Sequence, residues 1–277
     1  VARPGPRNLL TDVPGLLVGN AEDLPARTGV TVVLAESPAI AAVDVRGGAP
    51  GTRETDALAP TCLVDRVDAV VLSGGSAFGL DAAGGAMAWL AARGRGFPVG
   101  SARVPIVPAA ILFDLLNGGD KTWGATPPYR RLAEAACATA GSTFALGNAG
   151  AGLGAKSGPL KGGLGSASIL TEDGFVVGAL VAANPVGSPL MGDGPTLWAW
   201  SLEQEGEMGG QTPPRAPVGP EPEPASILPA GNTTIGVVGT NATLAPAAAQ
   251  RVAIMAQDGI ARAIRPAHTP FDGDTLF

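Results

Sequence analysis

Histidine is scarce in this sequence: His268 is the single one among 277 residues, as Tyr129 is the single tyrosine. A site built from several histidines of one chain is therefore excluded. Cysteine occurs twice, as Cys62 and Cys137, with no Cys-x-x-Cys pair, which removes structural zinc. Both lie in apolar stretches (TCLV and EAACATA) and read as buried free thiols of a reducing compartment. Charged residues make up only 15%, against ~25% in an average domain. The net charge of −6 and pI of 4.8 come without a basic stripe, so no nucleic-acid partner is expected. Aromatics, at 4%, are too few for a base-stacking surface. No apolar run approaches the ~18–20 residues of a membrane span. The opening VARPGPRNLL has no apolar signal-peptide core. These absences predict a cytoplasmic protein with no membrane or cofactor partner. Val1 is not an initiator Met, so the start is expected to be trimmed.

What the sequence has in excess is glycine (41) and proline (26), without the Gly-X-Y period of collagen. Its length allows one large domain or two small ones. Residues 1–14 read as an extended arm. Short β-rich runs follow at 16–20, 29–35, 39–48 and 68–75, punctuated as antiparallel strands would be. The run 76–94 has helical spacing, with Gly79, Gly84 and Gly85 inside it. Each costs ~1 kcal/mol relative to Ala in a helix, which predicts close backbone packing against a sheet. The stretch 107–117 reads as a short helix or strand beside a pocket, and 129–141 as an amphipathic helix. After a Gly-rich segment (147–168), strands at 166–174 and 175–187 should form a hairpin through Asp173-Gly174. Residues 209–230 read as an exposed polyproline-like linker. A strand over 231–244 and a helix over 245–264, with Pro246 in its first turn, complete the pattern.

Three motifs imitate known sites and fail on inspection. GAGLGAKS (150–157) has Ala155 where a phosphate-binding loop needs Gly, and SGPLKGGLG after it cannot supply the required helix. LSGGSAFG has Phe78 at the second Gly position of a nucleophile elbow, although His268 could in principle still serve a triad. Asp272 and Asp274 could bind a metal, but Asp-Gly-Asp is more commonly a turn and no further ligands are evident.

The informative place is 231–234. A Pro-rich linker ends in Gly231-Asn232, and an apolar strand starts with Thr233-Thr234. Two β-forming threonines at a strand start would account for that. Self-cleavage also would: a Thr hydroxyl attacks the carbonyl before it, and hydrolysis of the ester leaves Thr with a free α-amino group. That amine, with an unperturbed pKa of ~7.7–8, is a built-in general base for its own hydroxyl.

Seven segments then decide between these readings: AVDVRGGAPGTRETDAL (42–58), LSGGSAFGLDAAGG (72–85), GNAGAG (147–152), KGGLGSAS (161–168), NPVG (184–187), GNTTIGVV (231–238) and FDGDTLF (271–277). In this order they resemble the autoprocessing hydrolases that include the L-aminopeptidase/D-esterase, the β-peptidyl aminopeptidases and the nylon-oligomer endohydrolase. The resemblance implies an α+β fold, a four-layer αββα sandwich of the N-terminal-nucleophile type. It implies one domain (1–277) cut between Asn232 and Thr233 into subunits 1–232 and 233–277, assembled as a homotetramer. The family pattern continues past the Asp-Gly-Asp strand, so further residues beyond Phe277 and an uncovered sheet edge are expected.

Residue by residue, the resemblance makes Thr233 the nucleophile and Asn184 an oxyanion donor. It gives Asp272 and Asp274 the orienting of the Thr233 amine and hydroxyl. Lys156 is the matching lysine, with Lys161 the alternative because the Gly-rich loop is short here; a partly buried Lys⁺ near Thr233 would favour loss of its hydroxyl proton. Relatives often carry Tyr where Phe113 stands, so that hydroxyl is missing. The implied activity is hydrolysis of short peptides, amino-acid amides or esters, or linear amide oligomers, and a Thr nucleophile with the Asp-Gly-Asp pair resembles the nylon-hydrolase-like branch most. The alternatives are an acyltransferase of the ornithine-acetyltransferase type and a non-catalytic assembly protein.

Overall fold

The structure, a computed structural model, describes residues 2–192, 194–214 and 231–277. Most of the linker (215–230) lies outside the described residues. In chain order the strands are β1 (Arg3–Pro4), β2 (Leu16–Asp23), β3 (Thr28–Ile40), β4 (Asp44–Val45), β5 (Thr52–Arg53), β6 (Arg66–Ser73), β7 (Phe97–Val99), β8 (Ala102–Val104), β9 (Ala109–Ile111), β10 (Lys156–Ser157), β11 (Leu160–Lys161), β12 (Gly163–Leu170), β13 (Val176–Asn184), β14 (Thr233–Thr240) and β15 (Thr275–Leu276). The helices are α1 (Ala82–Ala91), α2 (Tyr129–Ala138) and α3 (Pro246–Ala263).

Two sheets carry the fold. One has the order β1-β12-β13-β14-β15-β4 and the other β2-β3-β6-β9-β5. Their inner faces meet in a core of Val18, Val33, Leu72 and Leu112 against Leu164, Leu180, Ile235 and Val237. A second core fills the space between β3 and β6 and the helices α1 and α2, through Val32, Val71, Leu90 and Leu132. The third is small: Ile260 and Ile264, at the end of α3, cover Leu276 of β15. The layers are therefore helix, sheet, sheet, helix, the expected αββα sandwich.

Burial explains the strand sequences. Strands β3 and β6 are covered on both faces, so their apolar runs are nearly continuous, with residues 28–35 all buried. Strand β13 alternates buried and partly open positions along its length, as a strand with one covered face should. The hairpin between β12 and β13 turns at Gly174, whose φ of +82° suits glycine.

Several expectations change. The run 76–94 starts as a 3₁₀ turn (Ser76–Asp81), and the α-helix covers only Ala82–Ala91. Gly79 packs against the sheet as expected, where a Cβ would sit 2.8 Å from the Ser73 Oγ of β6, but Gly84 and Gly85 admit the neighbouring helix: a Cβ on Gly85 would sit 2.1 Å from the Arg130 carbonyl oxygen of α2. The strand at 39–48 breaks after Ile40 and resumes at Asp44–Val45. Residues 109–111 within the ambiguous stretch 107–117 are a strand. Pairing is not wholly antiparallel, since β6–β9 and β14–β15 run parallel. Strand β15 is not left as an edge, because β4 pairs with its far side. Cys137 is buried, and burial pushes its thiol up to about 12, whereas Cys62 is exposed. Its TCLV neighbourhood is apolar in composition but lies in an outer loop.

Candidate active site

Three chain segments converge at one end of the first sheet. Asn184 is the last residue of β13 and Thr233 the first of β14, and the two are directly paired across the ladder. Strand β15 runs parallel to β14, which brings the residues just before it, 272–274, beside the start of β14. The second sheet contributes the turn after β9, where Phe113 lies. Thr233 and Asn184 are each only 2% exposed, and Asp272 and Asp274 are buried as well. In the intact chain the hydroxyl is thus sealed from an external substrate.

The peptide bond between Asn232 and Thr233 is held on both flanks. Upstream, the Asn184 Nδ2 donates to the Gly231 carbonyl (3.0 Å) and to the Phe113 carbonyl (3.1 Å). The Asn232 Nδ2 donates to the Pro185 carbonyl at 2.7 Å. Downstream, the Thr234 N–H donates to Asp274 Oδ1 at 2.7 Å. Between these anchors the Thr233 hydroxyl donates to the Asn232 carbonyl, the group an N-to-O acyl shift must attack.

Not every predicted residue lies where the sequence suggested. Asn184 does not hold the Asn232 carbonyl; its Nδ2 is spent on Gly231 and Phe113, and its Oδ1 accepts the Lys156 N–H at 2.8 Å. Lys156 is exposed rather than partly buried. It and Lys161 are cross-strand partners in the β10–β11 ribbon, so both stems project from one face of it. The Lys161 Nζ reaches the Leu153 carbonyl at 3.4 Å.

The aspartates make their bonds beside Thr233 and not to it. Asp272 accepts the Val186 N–H through Oδ1, and the Thr269 N–H and hydroxyl through Oδ2. Asp274 accepts Thr234 N–H through Oδ1, and both the N–H and Nδ1 of His268 through Oδ2. All four oxygens accept hydrogen bonds from protein groups, three bonds to each carboxylate. Burial pushes the Asp272 carboxyl above its ordinary range, with the Asp274 charge adding to it and the Thr269 and Val186 donors opposing.

His268 and Thr269 were not legible as site residues. Nothing in HTPFDGD says that 268 and 269 fold back onto 274 and 272. Only Thr269-x-x-Asp272 has the short spacing of a local side-chain-to-backbone turn. Pro185 and the Phe113 main chain were equally hidden, because they act through carbonyls.

A polar node lies next to the site. Asp114 follows Phe113, is 2% exposed, and accepts the Gly75 N–H through Oδ1 at 2.8 Å. Its Oδ2 and the hydroxyls of Thr28 and Tyr129 are buried without a completed hydrogen bond. Burial pushes the Asp114 carboxyl up, while the neighbouring Thr28 hydroxyl and the Lys121 charge hold it back. A carboxyl whose folded pKa is raised keeps its proton more tightly when folded. Its contribution is full below the unfolded value and is lost as pH rises through the folded one. Asp114→Asn removes that loss and offers an N–H to the unpaired oxygens. It should therefore be near wild type at pH 4 and more stable at pH 7, by about 1 kcal/mol. Thermal melts across that range check the sign; a gap that widens toward acid would contradict it.

Comparison with known proteins agrees with the resemblance read from the seven segments. The model of a family described as "Peptidase family S58" matches residues 8–277. An uncharacterized aminopeptidase of Mycobacterium leprae is 47% identical over 285 residues, covering 98% of this chain and 78% of the relative. A 6-aminohexanoate-oligomer endohydrolase of Kocuria sp. is 32% identical over 290 residues, covering 100% of this chain and 76% of the relative. Among solved structures, the L-aminopeptidase D-Ala-esterase/amidase of Ochrobactrum anthropi, described as a variant of the Ntn hydrolase fold, superimposes with a TM-score of 0.67 at 23% identity. That alignment covers 100% of this chain and 74% of the other.

Proposed function

The chain belongs to peptidase family S58, a family of amide hydrolases, and from that membership we propose that Thr233 is its nucleophile, released by cleavage of the Asn232–Thr233 bond. The observation that carries this reading is the clamped bond: Asn232 and Thr234 are each anchored, and the Thr233 hydroxyl rests on the Asn232 carbonyl. Thr233 Oγ1 attacks the Asn232 carbonyl carbon, the C–N bond breaks, and the hydroxyl proton passes to the departing amine. Water then hydrolyses the ester, giving a free Asn232 carboxylate, a restored hydroxyl and a new α-amino group on Thr233. One domain is thereby divided into subunits 1–232 and 233–277.

Departure of Gly231 and Asn232 opens the site. The Asn184 Nδ2 loses its Gly231 partner and becomes a free donor, able to bond the oxyanion of an acylating substrate. The α-amino group serves as general base, as in other hydrolases whose nucleophile is the N-terminal residue. Lys156, whose main-chain N–H is bonded to Asn184, supplies a nearby positive charge. Asp272 and Asp274 hold the two flanking segments and tune proton transfer between them. Family membership supports neither the acyltransferase nor the non-catalytic reading.

The substrate class we propose is an amide or ester with a short acyl part: a short peptide, an amino-acid amide or ester, or a linear amide oligomer. The aminopeptidase relatives share more identity with this chain than the oligomer endohydrolases do, which favours short peptides first. We place the working enzyme in the cytoplasm as a homotetramer of cleaved pairs; among the described residues no helix is long and apolar enough to cross a membrane. Intact mass with N-terminal sequencing tests the central claim. Two associated polypeptides are expected, the smaller beginning Thr233-Thr234-Ile235. A break at any other bond would refute the assignment.

The lysines can be ranked. Lys156→Ala is expected to slow both self-cleavage and hydrolysis, by ~10²-fold if it assists proton transfer. Lys161→Ala should leave both near wild type, because its ammonium is directed to the Leu153 carbonyl. Progress curves for the two variants decide it. The reverse order of severity would move the role to Lys161.

A further inference from the structure

We propose that His268, with Thr269 beside it, is a positioning residue of the self-cleavage site, acting through the two aspartates. This rests on the reading of Thr233 as the nucleophile. Consecutive residues make matching pairs of bonds. His268 gives its N–H (3.1 Å) and its ring Nδ1 (2.8 Å) to Asp274 Oδ2. Thr269 gives its N–H (3.1 Å) and its hydroxyl (2.6 Å) to Asp272 Oδ2. Each carboxylate then uses its other oxygen to fix one flank of the site. Asp274 takes the Thr234 N–H at 2.7 Å, one residue past the nucleophile. Asp272 takes the Val186 N–H at 3.0 Å, one residue past the Pro185 carbonyl that holds Asn232. The pair 268–269 thus sets the spacing between the acyl side and the amine side of the bond to be broken.

The ring is oriented by these bonds. A carboxylate only accepts hydrogen bonds, so Nδ1 carries the proton toward Asp274. The backbone supports a dedicated role: His268 has φ of +56°, a left-handed conformation uncommon outside glycine and enriched in Asn, Asp and His. The Asp274 side chain is 1% exposed and that of His268 20%. Removing the ring would leave a buried oxygen with fewer donors and free the Asp274 carboxylate to turn away from Thr234.

The test uses the full chain. His268→Ala is expected to slow self-cleavage at least tenfold. His268→Asn tolerates the left-handed φ and retains an amide donor, so it should restore the rate to within a few-fold of wild type. Melting temperatures are recorded alongside. If cleavage in His268→Ala matches wild type, or if Asn and Ala are equally slow at equal melting temperature, positioning by the ring is overturned. A second readout does not need cleavage at all. In the Thr233→Ala background, which should stay intact, adding His268→Ala should raise hydrogen exchange of the Thr234 amide at least tenfold without a matching rise at Ile235. Unchanged exchange there overturns the proposal even if Thr233 proves to be the nucleophile. Raised exchange in a protein whose wild type never cleaves upholds the clamp while the Thr233 reading fails.

Discussion

Thr233→Ala is expected to accumulate as a single uncleaved polypeptide with no measurable hydrolase activity. The attacking oxygen is gone, and the hydroxyl resting on the Asn232 carbonyl goes with it. The second threonine cannot substitute. Thr234 is paired with Ala183, its N–H is committed to Asp274, and its hydroxyl is buried without a completed bond. Attack from it would break a different peptide bond. Two losses then compound: the nucleophile for turnover is missing, and Gly231-Asn232 stays in place over the site. Removing a nucleophile has cost up to about 2 × 10⁶ in kcat in another hydrolase, so activity should fall at least ~10⁴-fold even before blockage is counted. The fold should survive, with a loss of about 1–2 kcal/mol typical of one buried side-chain truncation. Thr233→Ser separates the two effects, because it keeps the oxygen and should still yield two chains. Residual activity above a few per cent in the Ala variant, or cleavage in it, would assign the nucleophile elsewhere.

How far such expectations could be drawn from sequence depends on the kind of interaction involved. Burial on two faces leaves continuous apolar runs, so β3 and β6 were legible as strands, and one covered face left the alternation of β13. Thr233 became a candidate where a Pro-rich stretch meets an apolar strand, and only the resemblance preferred it as a nucleophile over a plain strand start. Asn184 and the aspartates became candidates through resemblance, since a side chain's partner across a sheet leaves no local mark. Their bonds were not legible at all. Asn184 pairs with Thr233 because β13 and β14 lie side by side, although 48 positions of chain separate them by number. The two lysines show the same limit. A short Gly-rich loop can be aligned either way, and only the register of the β10–β11 ribbon shows that Lys156 and Lys161 face each other. The covered edge of β15 was hidden for a similar reason: β4 is two residues long and lies more than two hundred positions earlier.

Asn184→Ala carries the second large effect, and the structure changes what it should look like. From sequence, a pocket-lining amide would cost the fold little. Here the amide is buried and makes three bonds: to the Lys156 N–H and to the carbonyls of Phe113 and Gly231. Truncation strands those groups, so a loss of about 1–3 kcal/mol is expected, visible as a lower melting temperature. The kinetic effects should then divide unequally. In turnover, the freed Nδ2 is proposed to bond the developing oxyanion, and loss of one such donor costs ~10²–10³ in kcat with little change in KM. In self-cleavage, the same nitrogen is bonded to Gly231 rather than to the Asn232 carbonyl under attack. It aligns the upstream segment without bearing the charge, so processing should slow by only about tenfold, the equivalent of one ordinary hydrogen bond of alignment. Single-turnover processing and steady-state hydrolysis, both measured well below the melting temperature, give the two numbers. If processing falls as steeply as turnover, Asn184 must move from Gly231 to the Asn232 oxygen before the bond breaks, and the clamp described for the intact chain is then the resting arrangement rather than the reacting one. If KM rises while kcat holds, the amide binds substrate and the oxyanion is stabilised by another donor.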